Sequence, residues 1–508
     1  MLRRLLSVSG FTLLSRITGF VRDILMAAIL GNGLLSDAFI IAFLFPNYFR
    51  AIFGEGTINP AFLPRYAALH AKGEHAAAAR FADMIFSWQM ALQLVLLLVA
   101  LIAMPLIVGL MAFGYADDSG ALALMTQLAR ITFPYLILTV VAVQLSAMLN
   151  AIEKFWAAAA WSNFLNLSMI ATLLASHWFP NVAFAAAWGV ALGGVLQLAF
   201  MLWAGRKEGL RLRIVWPRWT PEIREFFKAF GAVTVGAASV VVAPMIDTLI
   251  ASFLPVGGRT ALYYADRINQ LPLGVLGIAL GTVLLPEMSR RLAQGDRAAS
   301  SAAQNRAAAM TLLLTLPFAV TFLVIPGTIM RAIFAHGAFD RNAATLSALA
   351  LAAYGVGLPA MALVRIVQST FYARHDTMTP VRATVTAILS NIALKVLFVW
   401  GFHWGVAGIA LGTALGAWIN VGILTWLGRS RTLLAIESIF VRALPPSLLA
   451  ALATAAGAWL GARLGEGALP GDYADIAALI GAIICASLGY GMVLLMSRSR
   501  LPLGRPAQ

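Results

Sequence analysis

The sequence holds one cysteine, Cys485, in the apolar run IGAIICASLGYGMVLLM, so no disulfide can form within the chain. Charge is scarce as well. Only 11% of the 508 residues are Asp, Glu, Lys or Arg, against roughly a quarter in a soluble domain. Neither an HExxH pair nor a phosphate-binding loop occurs, and the six histidines (70, 75, 177, 336, 375 and 403) lie mostly in connectors. No metal centre, cofactor site or enzyme constellation is therefore expected, and an ATPase motor within this chain is excluded. Two-residue alternation is also missing. The apolar runs are long and continuous, unlike the roughly ten-residue alternating strands of an outer-membrane barrel.

What the sequence does have is apolar mass: 61% hydrophobic residues and a mean hydropathy of +0.86. These values require an integral membrane protein of the all-α polytopic class. A spanning helix takes about 20 apolar residues, so a chain of this length accommodates about 12 to 15 spans. About fourteen can be read, the first over residues 7–30 and the last over 473–496. The N-terminus opens like a secretion signal, with Arg3 and Arg4 before a short apolar run. No small-residue cleavage site precedes Arg16, however, and the apolar pattern resumes after Asp23, so an uncleaved first span is expected.

The net charge of +15 could point to nucleic acid, but its distribution points to topology. With the N-terminus cytoplasmic, every connector on that side is basic, most densely RKEGLRLRIVWPRWTPEIREFFK between spans 6 and 7. The opposite connectors hold only Arg259, Arg341 and Arg463 of the 36 basic residues. A multi-pass protein of the bacterial cytoplasmic membrane with both termini inside is expected, and no nucleic acid partner.

Landmarks recur at a nearly fixed offset. Pro64 in AFLPRYAAL and Pro286 in VLLPEMSRRL lie 222 residues apart, and Pro134 and Pro359 lie 225 apart. Two pseudo-symmetric six-helix lobes explain this, an N-terminal lobe over 1–220 and a C-terminal lobe over 221–430, with two extra helices and a tail over 431–508. Six is even, so both lobes enter the membrane from the same side, the arrangement of transporters built from parallel repeats around a central cavity.

Removing the connectors leaves Arg16, Arg22, Arg50, Arg130, Arg267, Arg331, Arg365 and Lys395 at membrane depth. A charge at the centre of a spanning helix costs about 2.5–3.5 kcal/mol on insertion scales, so each needs a partner or a watery cavity. Arg130, Arg331 and Arg365 read as structural. Arg16 and Arg22 in SRITGFVRD, Arg50 after a break expected at Pro46, and Arg267 in YYADRINQLP read as functional; the acids near them are Asp23, Asp37, Glu55 and Asp266, so the eight basic residues together leave the balance at membrane depth positive. A guanidinium-lined cavity suits a phosphate-bearing anion, because the planar fork grips oxyanions through two donors. Gly19 and its neighbours in spans 1 and 2 either let these helices bend or let them pack closely. Asp247 in span 7 and Lys395 in span 11 are opposite charges expected to pair, directly or through Asn391 and Thr413.

Together SRITGFVRD, SDAFIIAFLFPNYFRAIFGEGTINPAFLP, YYADRINQLPLGVLGIALGTVLLP and FYARHDTMTPV resemble the MurJ (MviN) family of lipid II flippases, within the superfamily of multidrug and polysaccharide-lipid exporters. The likeness runs from residue 1 to about 500. It implies fourteen helices, with the last two forming a groove for a lipid tail. It implies as substrate the undecaprenyl-diphosphate-linked disaccharide pentapeptide of peptidoglycan, moved outward, with other cell-wall synthesis proteins as neighbours. By motif, the substrate-binding residues would be Ser15, Arg16, Arg22, Asp23, Asp37, Asn47, Arg50, Glu55, Asp266 and Arg267. Some relatives hold sodium between helices 7, 11 and 12. Here Asp247, Asn391 and Thr413 match that site, but Lys395 stands where a second acid would help bind the ion, which favours a built-in ammonium. A flippase for another polyprenyl-diphosphate oligosaccharide would need the same arginines. A drug–cation antiporter would need an acidic or aromatic cavity instead, and a non-transporting scaffold leaves the buried charges unexplained.

Overall fold

Lipid offers the backbone no hydrogen-bond partners, so apolar runs of this length fold as helices whose N–H and C=O groups pair within the segment. A computed structural model describes residues 2–55, 58–470 and 473–497, with side chains described except at 2–7, 54–55, 232, 235–240 and 275–283. Among the described residues the chain is helical between short connectors, with no strand. Eleven helical stretches there are long and apolar enough to cross a membrane. The other three expected spans are helices of 29, 32 and 36 residues, starting at Leu2, Pro221 and Gly258. Each exceeds the roughly 20 residues a crossing needs, and the sequences of the last two include 18-residue runs without a charge, 229–246 and 268–285. The protein is a multi-pass membrane protein.

Two compact units divide at Gly257/Gly258, one helix later than the 220/221 boundary read from the repeat. The first contains α1 (Leu2–Leu30), α2 (Leu34–Arg50), α3 (Ile58–Ala71), α4 (His75–Met111), α5 (Ser119–Thr132), α6 (Tyr135–Ala151), α7 (Phe155–Ala160), α8 (Ser162–Leu174), α9 (Val182–Lys207) and α10 (Pro221–Ser252). Helix α10 opens with Pro221, whose missing N–H is no loss in a first turn, and with Thr220 Oγ1 accepting from Ile223 N at 3.4 Å. It packs on α3 and α4.

Helix α1 shows how sequence spacing sets its faces. Leu13, Leu14, Ile17 and Val21 recur at helical spacing and are exposed. On the opposite face Arg22, Asp23, Met26, Ala27 and Leu30 are buried, and the helix packs on α7 and α8. Gly31 ends it with φ +69, a left-handed conformation that favours glycine.

Helix α2 corrects one expectation. It does not break at Pro46 but runs through it to Arg50, and the irregularity follows as a π-helical turn over Ala51–Glu55. Proline has no N–H to give the carbonyl four residues back, that of Ala42. Thr132 Oγ1, on α5, donates to that oxygen at 3.0 Å instead, so the buried backbone stays satisfied.

The second unit contains α11 (Gly258–Ala293), α12 (Arg297–Val324), α13 (Pro326–Phe334), α14 (Arg341–Tyr372), α15 (Met378–Val396), α16 (Gly405–Ser430), α17 (Ser438–Glu466) and α18 (Ala474–Met496). Helices α17 and α18 pack backbone to backbone. A Cβ on Gly461 would collide with the Gly481 carbonyl, and one on Gly457 or Gly465 with the backbone at Cys485 or Ala477. Arg331, expected to be structural, pairs with Asp475 at 2.7 Å, and Arg130 Nε donates to the Leu101 carbonyl at 3.3 Å.

Candidate functional site

In the first unit Arg22 of SRITGFVRD is held by Asp23 beside it and by a polar face on α8. Arg22 and Asp23 are 7% and 4% exposed. Arg22 donates to Asp23 Oδ1 from Nη2 at 2.7 Å and from Nε at 3.1 Å, and from Nη1 to Asn166 Oδ1 at 3.0 Å. Asn166 Nδ2 in turn donates to the Ser15 carbonyl and to Thr18 Oγ1, both at 3.1 Å. Ser15 and Ser162 share a hydrogen bond of 2.9 Å, and Thr18 Oγ1 lies 3.2 Å from Asn163 Oδ1. A buried guanidinium is tolerable only when its charge and its donors are both met. Asp23 meets the charge and Asn166 fixes the plane. A Cβ on Gly19 would sit 3.4 Å from Asn166 Nδ2, which favours close packing as the reason for that glycine.

Ser162, Asn163 and Asn166 were not singled out from the sequence. The signal was present in WSNFLNLS, where these polar residues recur on one face of an apolar helix. Arg16 lies six residues before Arg22, about 120° away around the helix at 3.6 residues per turn, and is exposed. The two arginines therefore share a helix but not a face.

Asp37, on α2, is fully buried. Its Oδ2 accepts from Tyr115 Oη at 2.9 Å and from the Gly257 N–H at 2.7 Å. Burial, and then the neighbouring Asp37 carboxylate, push the Tyr115 phenol above its ordinary acidity range, so it stays a donor. Gly257 has φ +91, and a side chain there would run into Asn32. In this arrangement Asp37 ties together the connector after α4 and the turn after α10. Asn47 spends an amide hydrogen on the Phe43 carbonyl, at 3.1 Å. Arg50 closes α2 and is half-buried. The Glu55 side chain lies outside the described residues.

In the second unit Arg267 and Asp266 are half-buried on α11. Tyr263, one turn earlier, engages Arg267 twice: its hydroxyl accepts from Nη2 at 2.9 Å, and its ring centroid lies 4.6 Å from Cζ. Asp266 Oδ2 accepts from Gln270 at 3.3 Å. On α15, Lys395 is fully buried. Its stem packs against Gly412 of α16, one turn from where Asn391 packs against Gly416. Thr413 spends its hydroxyl on the Ile409 carbonyl at 3.2 Å. Asp247 is half-buried on α10, in the first unit, whereas Asn391, Lys395 and Thr413 belong to the second.

The family described as "Lipid II flippase MurJ" matches residues 26–466. The chain belongs to the MurJ family. Its MurJ character extends to curated relatives. The "Probable lipid II flippase MurJ" of Rhizobium tropici is 40% identical over 428 residues, covering 83% of this chain and 79% of that one. Two solved structures share the fold. One described as "Lipid II flippase MurJ, inward closed conformation" is 24% identical with a TM-score of 0.80, covering 97% of this chain and 99% of its own. An inward-facing multidrug resistance MATE transporter of the MOP superfamily is 14% identical with a TM-score of 0.66, covering 84% and 97%. The MurJ match begins after Ser15, Arg16, Arg22 and Asp23, so for these four the local geometry carries the argument.

Proposed function

We propose that this MurJ-family protein moves lipid II, the undecaprenyl-diphosphate-linked disaccharide pentapeptide, from the cytoplasmic to the outer leaflet by alternating access. Family membership supports the substrate. The observation that carries the mechanism is the buried Arg22–Asp23 pair of α1, braced by Asn166 of α8. A guanidinium kept in a fixed plane at membrane depth suits a diphosphate, whose oxygens accept paired, charge-assisted hydrogen bonds. Arg16 and Arg50 in the first unit and Arg267 in the second supply further groups of the same chemistry. Tyr263 holds Arg267 as Asn166 holds Arg22.

The polyprenyl tail needs no polar route and can stay in lipid. Helices α17 and α18 carry an apolar groove of about 510 Å³, lined by Leu464, Leu469, Tyr473, Ile480 and Ile484 among others, and this is its proposed rest. The basic connectors support a cytoplasmic position for both termini. Flipping leaves every covalent bond of the substrate intact, so the protein acts as a transporter and not as an enzyme. The Lys395 ammonium, in a pair with Asp247, stands in for an exchangeable cation, and other cell-wall synthesis proteins are its neighbours.

Replacing Arg16, Arg50 or Arg267 by Ala should each abolish complementation of a depleted strain, with membrane levels of the protein unchanged. Full complementation by all three variants would contradict diphosphate binding by these groups.

A further inference from the structure

The basic connector between α9 and α10 has no regular secondary structure from Leu210 to Thr220, yet it is pinned to one side of α4. Arg213 N donates to Asp83 Oδ1 at 2.8 Å, Val215 N to Ser87 Oγ at 2.8 Å, and Arg218 N to Met84 Sδ at 3.2 Å. Trp88 Nε1 closes the set by donating to the Arg218 carbonyl at 3.2 Å. The last aromatic of the segment, Trp219, is edge-on to Trp88 and stacked with Phe227, both at 5.4 Å. Two of its other large apolar side chains have no such cover. Ile214 is 77% exposed and Trp216 82%.

The register against α4 says what those two side chains meet. The outward apolar surface of α4 begins at Leu92 and continues through Leu94, Val95, Leu98, Val99 and Ile102, all exposed. Leu92 follows the last pinning residue, Trp88, by four residues, about 6 Å at 1.5 Å per residue. The connector therefore lies along α4 where its surface turns from polar to lipid-facing, the depth of the headgroups. Tryptophan is enriched at this level because its ring is apolar and its N–H is not. Arg211, Arg213 and Arg218 flank the exposed pair. Among the described residues the side chains of Arg211 and Arg218 make no ion pair or hydrogen bond.

We propose that residues 211–218 form a binding site for anionic phospholipid headgroups, with Ile214 and Trp216 entering the headgroup–acyl boundary and the three arginines meeting lipid phosphates. Apolar insertion and basic attraction are the two components of interfacial binding, and here four hydrogen bonds hold them in place before any lipid arrives. The occupant is a lipid surface because the patch sits at headgroup depth with charge opposite to an anionic leaflet. The site is separate from the transport chemistry proposed above, so either can fail without the other.

The test places an environment-sensitive fluorophore on the full-length protein through Trp216→Cys in a Cys485→Ala background. The protein is reconstituted in nanodiscs of phosphatidylcholine alone or with added phosphatidylglycerol. The site predicts a blue shift on reconstitution, quenching by headgroup-level nitroxide lipids, and loss of quenching by aqueous iodide. Each effect should grow with phosphatidylglycerol, and that growth should vanish in the Arg211→Gln, Arg213→Gln, Arg218→Gln variant. Equal shifts in both lipid compositions would overturn the anionic-headgroup site. Iodide access as complete in nanodiscs as in detergent would overturn membrane insertion, as would burial seen only after adding a soluble cell extract.

Discussion

A single hydroxyl illustrates how the fold tolerates its own irregular residues. Pro46 deprives the Ala42 carbonyl of its helical partner, and Thr132 Oγ1 replaces it from another helix. Thr132→Val keeps the shape and removes the donor, leaving a buried carbonyl unmet. The expected loss is about 1–3 kcal/mol, read as a lowered denaturation midpoint of the purified protein in detergent. An unchanged midpoint would mean that the proline site needs no substitute donor. The sequence made Pro46 legible as a place of trouble but not its remedy, because Thr132 lies 90 residues from the Ala42 carbonyl it serves. The same asymmetry holds at Arg22. The cost of burying a guanidinium follows from the residue alone, and Asp23 is adjacent in sequence. Asn166, which fixes its plane, is 144 residues distant and becomes visible only when α1 lies against α8. Asp37 shows the opposite case: an acid read as part of a polar cavity is fully buried, accepting from Tyr115 and from the turn at Gly257.

At the scale of elements, periodicity carried most of the reading. Apolar runs became helices, the basic connectors fell between them, and α1 kept Leu13, Leu14, Ile17 and Val21 on one face and Arg22 and Asp23 on the other. Helix-to-helix contact was harder to read, because small residues mark a close approach without naming the partner. The spacing Gly457, Gly461, Gly465 is a repeated small-residue stripe of the kind that lets membrane helices touch. In the structure its partner is α18. Gly461→Val must push the two backbones apart, at a cost of about 1–3 kcal/mol or more for overpacking. The measurable result is a lower melting temperature in detergent and reduced steady-state protein in membranes. Wild-type values for both would contradict the backbone contact. Gly491, with open space around it, is the matched control on α18, and its substitution should leave both readouts unchanged.

For the whole molecule, composition settled the class, and the placement of arginine and lysine supplied the proposed orientation. The family match over residues 26–466 adds what composition could not, a substrate to propose. The division at Gly257/Gly258 was not legible from the repeat, because α10 follows the connector in sequence but packs with α3 and α4. The central claim is outward transport of lipid II, tested most directly in cells depleted of this protein and then given back the wild-type chain or the Arg22→Ala variant. A lipid II-cleaving enzyme added from outside reports how much newly made lipid II has reached the outer leaflet. The account predicts that cleavage is lost on depletion while lipid II accumulates, that the wild-type chain restores it, and that Arg22→Ala does not. Cleavage at the normal rate in depleted cells would contradict it.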